Sequence, residues 1–444
     1  MGGHCLILIF PSSPTQPRRF SLSTTRANSS ESIGYRELIR GNRNFRLLWL
    51  GQIISLLGDW FNFVASASLI AILTQSGFAV GSLFVVRMLA PFFISPIAGV
   101  VADRYNRKYT LIITDLARVV VAFGFLLVRT ADDVWLLYVL TALQLGIGGF
   151  FFPTRNAILP DVVSSQELGT ANALGSATWS VMLALGAAIG GIVSGAWGIY
   201  PAFVIDGLTF LLSAVFIAQI KLDVDPAPTP SDKTMGAALK EYLDGLRYLG
   251  RHTDTLVVAL HKGASALMMG SGSQVAMVAI AEDIFVIGEG GGISLGLMLA
   301  LGGVGTGVGP IVARRFTGDR DRPLRNAIIL GYLMGAAGLA IVAPMAHFGW
   351  VLLGVTVRGI GGGIIWVFST QLLLHLAPNT VRGRVFATDF ALFTLMSAVG
   401  SAAAGGALDA SLSLPAIFWW MAGLTVIPAV LWAAWLGGSV ERET

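Results

Sequence analysis

Long apolar runs alternate with short polar breaks along this chain. Twelve runs stand out, at 46–73, 78–102, 109–129, 134–152, 171–195, 200–220, 256–281, 293–313, 325–345, 349–374, 384–408 and 415–437. About 20 apolar residues, at ~1.5 Å each along a helix, cross a hydrocarbon core ~30 Å thick. The runs lack the period-two alternation of strands, so they predict helices and not a barrel. After the sixth run, "DVDPAPTPSD" (223–232) reads as a linker. Met235, Leu239, Tyr242, Leu246 and Leu249 then recur at helical spacing, as in an amphipathic helix lying along the membrane surface. The expected organisation is a tail (1–45), a six-helix bundle (46–220), a linker (221–255), a second six-helix bundle (256–437) and a short tail (438–444).

The two halves share a sequence echo. "LPDVVSSQELGTANAL" (159–174) sets beside "APNTVRGRVFATDFAL" (377–392), aligning Pro160 with Pro378, Thr170 with Thr388, Ala173 with Ala391 and Leu174 with Leu392. Each stretch joins the fourth and fifth spans of its half. The fold class expected is an all-α membrane protein, with twelve transmembrane helices in two pseudo-symmetric halves of six. Two such halves around a midplane site form the plan of an alternating-access transporter.

Composition agrees with the pattern. Of 444 residues 55% are hydrophobic and 12% charged, about half the ~25% charge of a soluble protein. The placement of charge matters more than its net value. With the N-terminus inside, the inner loops hold Arg104, Arg107, Lys108, Arg155, Lys221, Arg314, Arg315, Arg382 and Arg384 among others, and the outer loops only Arg129. That asymmetry puts both termini in the cytoplasm. Residues 11–30 are rich in Ser, Thr, Pro and Arg, so the N-terminal tail reads either as disordered or as an organelle transit peptide. A cell membrane is expected in the first case, an organelle envelope in the second. With Cys5 the lone cysteine, no intrachain disulfide can form.

Charges inside the membrane cost at least ~2.5–3.5 kcal/mol each, so each needs a reason. In the first span, Gln52, Ser55, Asp59, Asn62 and Ser66 fall at spacings of three and four, a stripe on one helix face. The stripe lines water or a substrate path, or else seals against a neighbouring helix. Arg87 in the second span lies at a depth similar to Asp59. The expected pair, Asp59 with Arg87, is either a static salt bridge or a proton-coupling site. Asp115 and Arg118, three apart, are expected to satisfy each other. Asp206 is expected to bond a neighbouring helix. Arg358, in "VRGIGGG", is placed to approach a bound anion or an unwound carbonyl. His261 and Lys262 are expected to snorkel. The small-residue patterns "GAAIGGIVSG" (186–195) and "GSAAAGG" (400–406) allow close helix packing, whether static or in a moving gate.

"GVVADRYNRK" (99–108) closes the second span. The cations Arg104, Arg107 and Lys108 suit the negative end of a helix, whereas Asp103 needs a donor such as another helix N-terminus. Gly99-x-x-x-Asp103-Arg104-x-x-Arg107-Lys108 resembles the loop 2–3 signature of the major facilitator superfamily. The resemblance implies that Asp103 meets the start of the eleventh span, near Arg384 to Thr388, as a cytoplasmic latch between the halves. The second-half counterpart, "GPIVARRFTGDRDR" (309–322), has Ala313 in place of the Asp, which implies a one-sided latch.

"NRNFRLLWLGQIISLLGDW", "FFFPTRNAILPDVV", "FVIDGLTFLLSA" and "VRGRVFATD" resemble the drug, macrolide and siderophore exporter branch of that family. The resemblance covers about residues 42–437. It implies export of a small amphipathic or lipophilic compound in exchange for protons, by a monomer in the bilayer. Gln52, Ser55, Asn62, Ser66, Gln144 and Arg358 are then candidates for the substrate cavity, and Asp59 and Arg87 for proton coupling. Two features depart from the branch. Gly190 is followed by Gly191 where the antiporter signature wants Pro, and Gln144 stands where the fourth span carries a basic residue. An importer or a lysolipid-moving relative of the same fold stays open. A polytopic membrane enzyme is disfavoured by five scattered His and one Cys, and no Gly-x-x-x-x-Gly-Lys-Ser/Thr loop is present for an ATP-driven pump. No metal, cofactor or nucleic acid is expected.

Overall fold

Asn42 accepts a hydrogen bond from the Phe45 amide at 2.9 Å and so starts the first long helix, α1 (Arg43–Thr74). Gln75, in the left-handed region at φ 51°, turns the chain. Ser76 then caps α2 (Gly77–Arg104) by accepting from Ala79 N. Asn106 caps α3 (Arg107–Gly124) in the same way. The half continues with α4 (Val134–Val162), α5 (Leu168–Trp197) and α6 (Ile199–Ala218). The second half holds α7 (Thr253–Ile284), α8 (Gly292–Thr317), α9 (Asp321–Val342), α10 (Phe348–Leu376), α11 (Arg382–Asp409) and α12 (Leu414–Val440). This computed structural model describes residues 34–222, 246–318, 320–378 and 381–440. Among them, twelve helices are long and apolar enough to span a membrane. Residues 1–33 of the expected N-terminal tail (1–45), the linker with most of its amphipathic helix (223–245), and the last four residues lie outside the described residues, whereas Tyr35–Gly41 of that tail forms a short helix with Leu38 buried.

Helix pairing repeats between the halves. In the first, α1 packs on α5 and α6, α2 on α4, and α3 on α4 and α6. In the second, α7 packs on α11 and α12, α8 on α10, and α9 on α10 and α12, the same pairs six helices on. The halves meet through α2 with α11 and α5 with α8, which exchange places under the same shift.

We call the side where α1 begins the terminal face and the opposite side the far face. The closest crossings between the halves lie toward the far face and are made of backbone. A Cβ on Gly191 of α5 would come within 2.6 Å of both the Gly292 carbonyl oxygen and the Gly296 Cα of α8. At the far end of α11, Asp409 reaches across to α2. It accepts from Gly77 N at 2.7 Å and from Ser76 Oγ at 2.8 Å, capping a helix of the other half.

Two spans differ from their apolar runs. α4 continues ten residues past the run ending at 152, through Pro153 and Pro160. Arg155, expected in a loop, therefore lies inside the helix and is only 4% exposed. α7 is interrupted by two π-type turns, Ala266–Gly270 and Ile280–Ile284. A π turn spoils the regular hydrogen-bond ladder and leaves carbonyls to be claimed from outside.

Candidate functional site

Between α1, α2, α4 and α5 lies a cavity of about 410 Å3, which Gln274 of α7 reaches from the other half. Its lining on α1 runs from Gln52 to Phe63, eleven positions or ~17 Å of helix. Trp60, Phe63, Phe84, Phe152 and Trp179 give it aromatic walls. Phe152 and Trp179, 56% and 54% exposed, meet edge to face with ring centroids 6.4 Å apart.

The polar stripe of α1 divides. Gln52, Ser55 and Asp59 line the cavity, whereas Asn62 and Ser66 are buried away from it, Ser66 Oγ donating to Asn62 Oδ1 at 3.2 Å. The division follows from Gly58. A Cβ there would lie 2.0 Å from Thr209 Oγ1 and 2.6 Å from Asp206 Oδ1, so glycine lets α6 close against this part of α1. Gln144 of α4 joins the buried side, donating to Asp206 Oδ2 at 3.1 Å. Asp206 thus bonds a neighbouring helix, as expected, and Gln144 stands outside the cavity lining.

The expected ion pairs are rearranged. Asp59 bonds Arg118 of α3, not Arg87. Arg118 also donates to Ser55 Oγ at 3.2 Å and lies over the Phe210 ring at 3.8 Å. Its approach to Asp115, at 4.0 Å, is the longest of these polar contacts, so the pairing expected from sequence spacing is secondary. The Asp59 side chain keeps 31% of its surface exposed, against 4% for Arg118. Arg87 stands apart in the cavity wall, its guanidinium 4.2 Å from the centroid of the Phe63 ring.

The second half has its own buried charges. Lys262 does not snorkel. It is 3% exposed and donates to Asp389 of α11, itself 1% exposed, with the Trp366 ring 4.9 Å away. The adjacent His261 is buried too, its Nδ1 3.1 Å from Tyr332 Oη. Arg358 donates to the Met269 carbonyl at 3.0 Å, inside the first π turn of α7, and fulfils the unwound-carbonyl alternative. It is not part of the cavity lining. Asp389 was missed as a site although it ends a quoted stretch, because only the fold brings α7 and α11 together.

At the terminal face, Arg107 bonds Asp161 of α4 at 2.8 Å, and Lys108 donates to the Ile220 carbonyl at 2.7 Å, tying three helix ends together. The latch expected of Asp103, with Gly99 and Arg104, falls outside the side chains that the structure describes.

A model of the Major Facilitator Superfamily matches residues 48–401. Among curated relatives, an "Uncharacterized MFS-type transporter YfiS" of Bacillus subtilis is 26% identical over 83% of this chain and 87% of its own. A "Putative bacilysin exporter BacE" of the same species is 24% identical over 81% and 87%. A "Multidrug resistance protein MdtG" of Salmonella paratyphi C is 26% identical over 79% and 83%. Among solved structures, one of the nucleoside transporter NupG superposes with a TM-score of 0.72 at 12% identity, covering 88% of this chain and 99% of that one.

Proposed function

This chain belongs to the Major Facilitator Superfamily, and from that premise we propose that it exports a small amphipathic or lipophilic compound by alternating access in exchange for protons. Family membership makes it a membrane transporter and not an enzyme. The observation that carries the reading is the cavity itself: aromatic walls around one accessible carboxylate, Asp59, held by a buried guanidinium.

Asp59 is the proposed proton site. It is open to the cavity, bonded to Arg118 and within the field of Arg87, while Asp115 and Asp206 lie on the buried side near Arg118 and Gln144. Release of its partner or arrival of a substrate changes the charge balance around this carboxylate, which is how a carboxyl group couples ligand to proton. The names of two relatives, a putative bacilysin exporter and a multidrug resistance protein, favour the outward direction. The clustering of Lys and Arg favours a cell membrane with both termini cytoplasmic. The closed far face is then the outer one, and the conformation is inward-facing.

The test is proton flux in proteoliposomes under an imposed pH gradient, with a panel of drugs, siderophores and lysolipids. Substrate-triggered proton movement that vanishes in Asp59→Asn is the expected result. Substrate movement without proton movement removes the coupling and reduces Asp59 to a structural partner of Arg118.

A further inference from the structure

With Asp59 matched to Arg118, the two other guanidiniums of the cavity have no carboxylate in contact among the described residues. Arg87 forms no hydrogen bond among the described residues, and Asp59 acts on it only through space. A ring face stabilises a guanidinium but accepts none of its five N–H donors conventionally. Arg155, also in the lining, is 4% exposed. Its Nη1 donates to Asn156 at 3.1 Å, but Nε and Nη2 have no partner among the described residues. Gly175 of α5 leaves room for that head group, since a Cβ there would come within 2.7 Å of Nη2.

The two cations sit at different depths. Arg87 is seventeen residues, or ~26 Å, from the terminal-face end of α2, and Arg155 seven residues, or ~10 Å, from that of α4. Trp60, Met88, Trp179 and Met182 line the same cavity. The three other buried carboxylates named above supply no counter-ion. Asp115 and Asp206 are not in the lining, and Asp389 is bonded to Lys262.

We propose that the cavity selects amphipathic organic acids. The oxyanion of the substrate docks on Arg87 beside Asp59, its apolar body lies against the aromatic walls, and Arg155 draws the acid in and repels cations. Unfilled donors in an otherwise apolar pocket supply both parts of such selectivity, an attraction for the acid and a penalty for ligands that leave them unpaired. The inference rests on reading this cavity as the transport site, and is independent of direction and coupling ion.

Calorimetric titration of the purified full chain in detergent, with naphthylacetic acid, its primary amide and naphthylethylamine, tests it. These probes share an aromatic body and differ in charge. The acid should bind about ten-fold or more tightly than the amide, and the amine most weakly, the range expected of one charge-assisted hydrogen-bonded contact. The acid-to-amide ratio should fall close to one in Arg87→Gln and recover in part in Arg87→Lys, whose folded state gel filtration can verify. Arg155→Gln should weaken the acid several-fold more than the amide. An acid that binds no better than its amide, or a preference unmoved by both glutamine variants, overturns the proposal. Proton flux triggered by amines or neutral compounds alone would overturn it too, while leaving the transporter reading in place.

Discussion

The ion pairs Arg118–Asp59 and Lys262–Asp389 each join two different helices, and that separates what spacing could tell from what it could not. Only part of the cavity was legible: Asn62, Ser66, Gln144 and Arg358 carry the same polar signal and stand outside its lining. Gln52, Ser55 and Asp59 share a face because helix geometry says so, and all three line the cavity. Their partners were not legible. Counting along a helix gives depth, which is why Arg87 looked like the mate of Asp59, but it gives no bearing around the bundle axis. Arg118 points from α3 toward α1 and wins the contact. Lys262 with Asp389 is a cleaner case, both being almost fully buried. Removing one member of a buried pair leaves a charge without its counter-ion and costs ~3–5 kcal/mol, whereas an apolar replacement of both is often near neutral. Lys262→Met and Asp389→Leu should each lower the thermal unfolding midpoint in detergent, and the double variant should regain most of that loss. Losses that simply add would show the two residues to be uncoupled.

At the level of the helix, the apolar pattern placed every span but misjudged where α4 stops. Arg155 and Asn156 end the apolar run, yet the helix goes on because one face stays greasy, with Ile158, Leu159 and Val162 buried. The interruptions of α7 left no mark that hydrophobicity could show, because a π turn changes the hydrogen-bond ladder and not the polarity of the residues. The small-residue runs were legible as close packing, and α5 with α8 supplies the partner. Gly191→Leu puts a side chain where only 2.6 Å is free, so it should hold the far face apart and abolish transport in a folded protein. Asp409→Asn weakens the cap that α11 gives to α2. In a Cys5→Ser background, Val80→Cys, buried between these helices, should react with a maleimide several-fold faster once Asp409→Asn is added. An unchanged rate would mean that the cap does not help to hold this face shut.

For the whole molecule, the repeated pairing of helices explains why so short an echo between "LPDVVSSQELGTANAL" and "APNTVRGRVFATDFAL" accompanies so complete a structural repeat. Packing constrains size and polarity at scattered positions, and a line of sequence records only a few of them. The proposed orientation makes its own prediction. In the Cys5→Ser background, Asp132→Cys, on the far-face connection into α4, should be labelled in intact cells by a membrane-impermeant maleimide; labelling only after lysis would reverse the orientation. The far-face seal also bears on how the transporter responds to heat. Ordering a flexible side chain at a contact costs ~0.5–1.5 kcal/mol in lost rotamers, but at Gly191 and Gly296 main chain meets main chain, and there are no rotamers to lose. Shut and open states of such a seal differ little in side-chain entropy. At this crossing, ordering of side chains therefore adds little to the temperature dependence of opening.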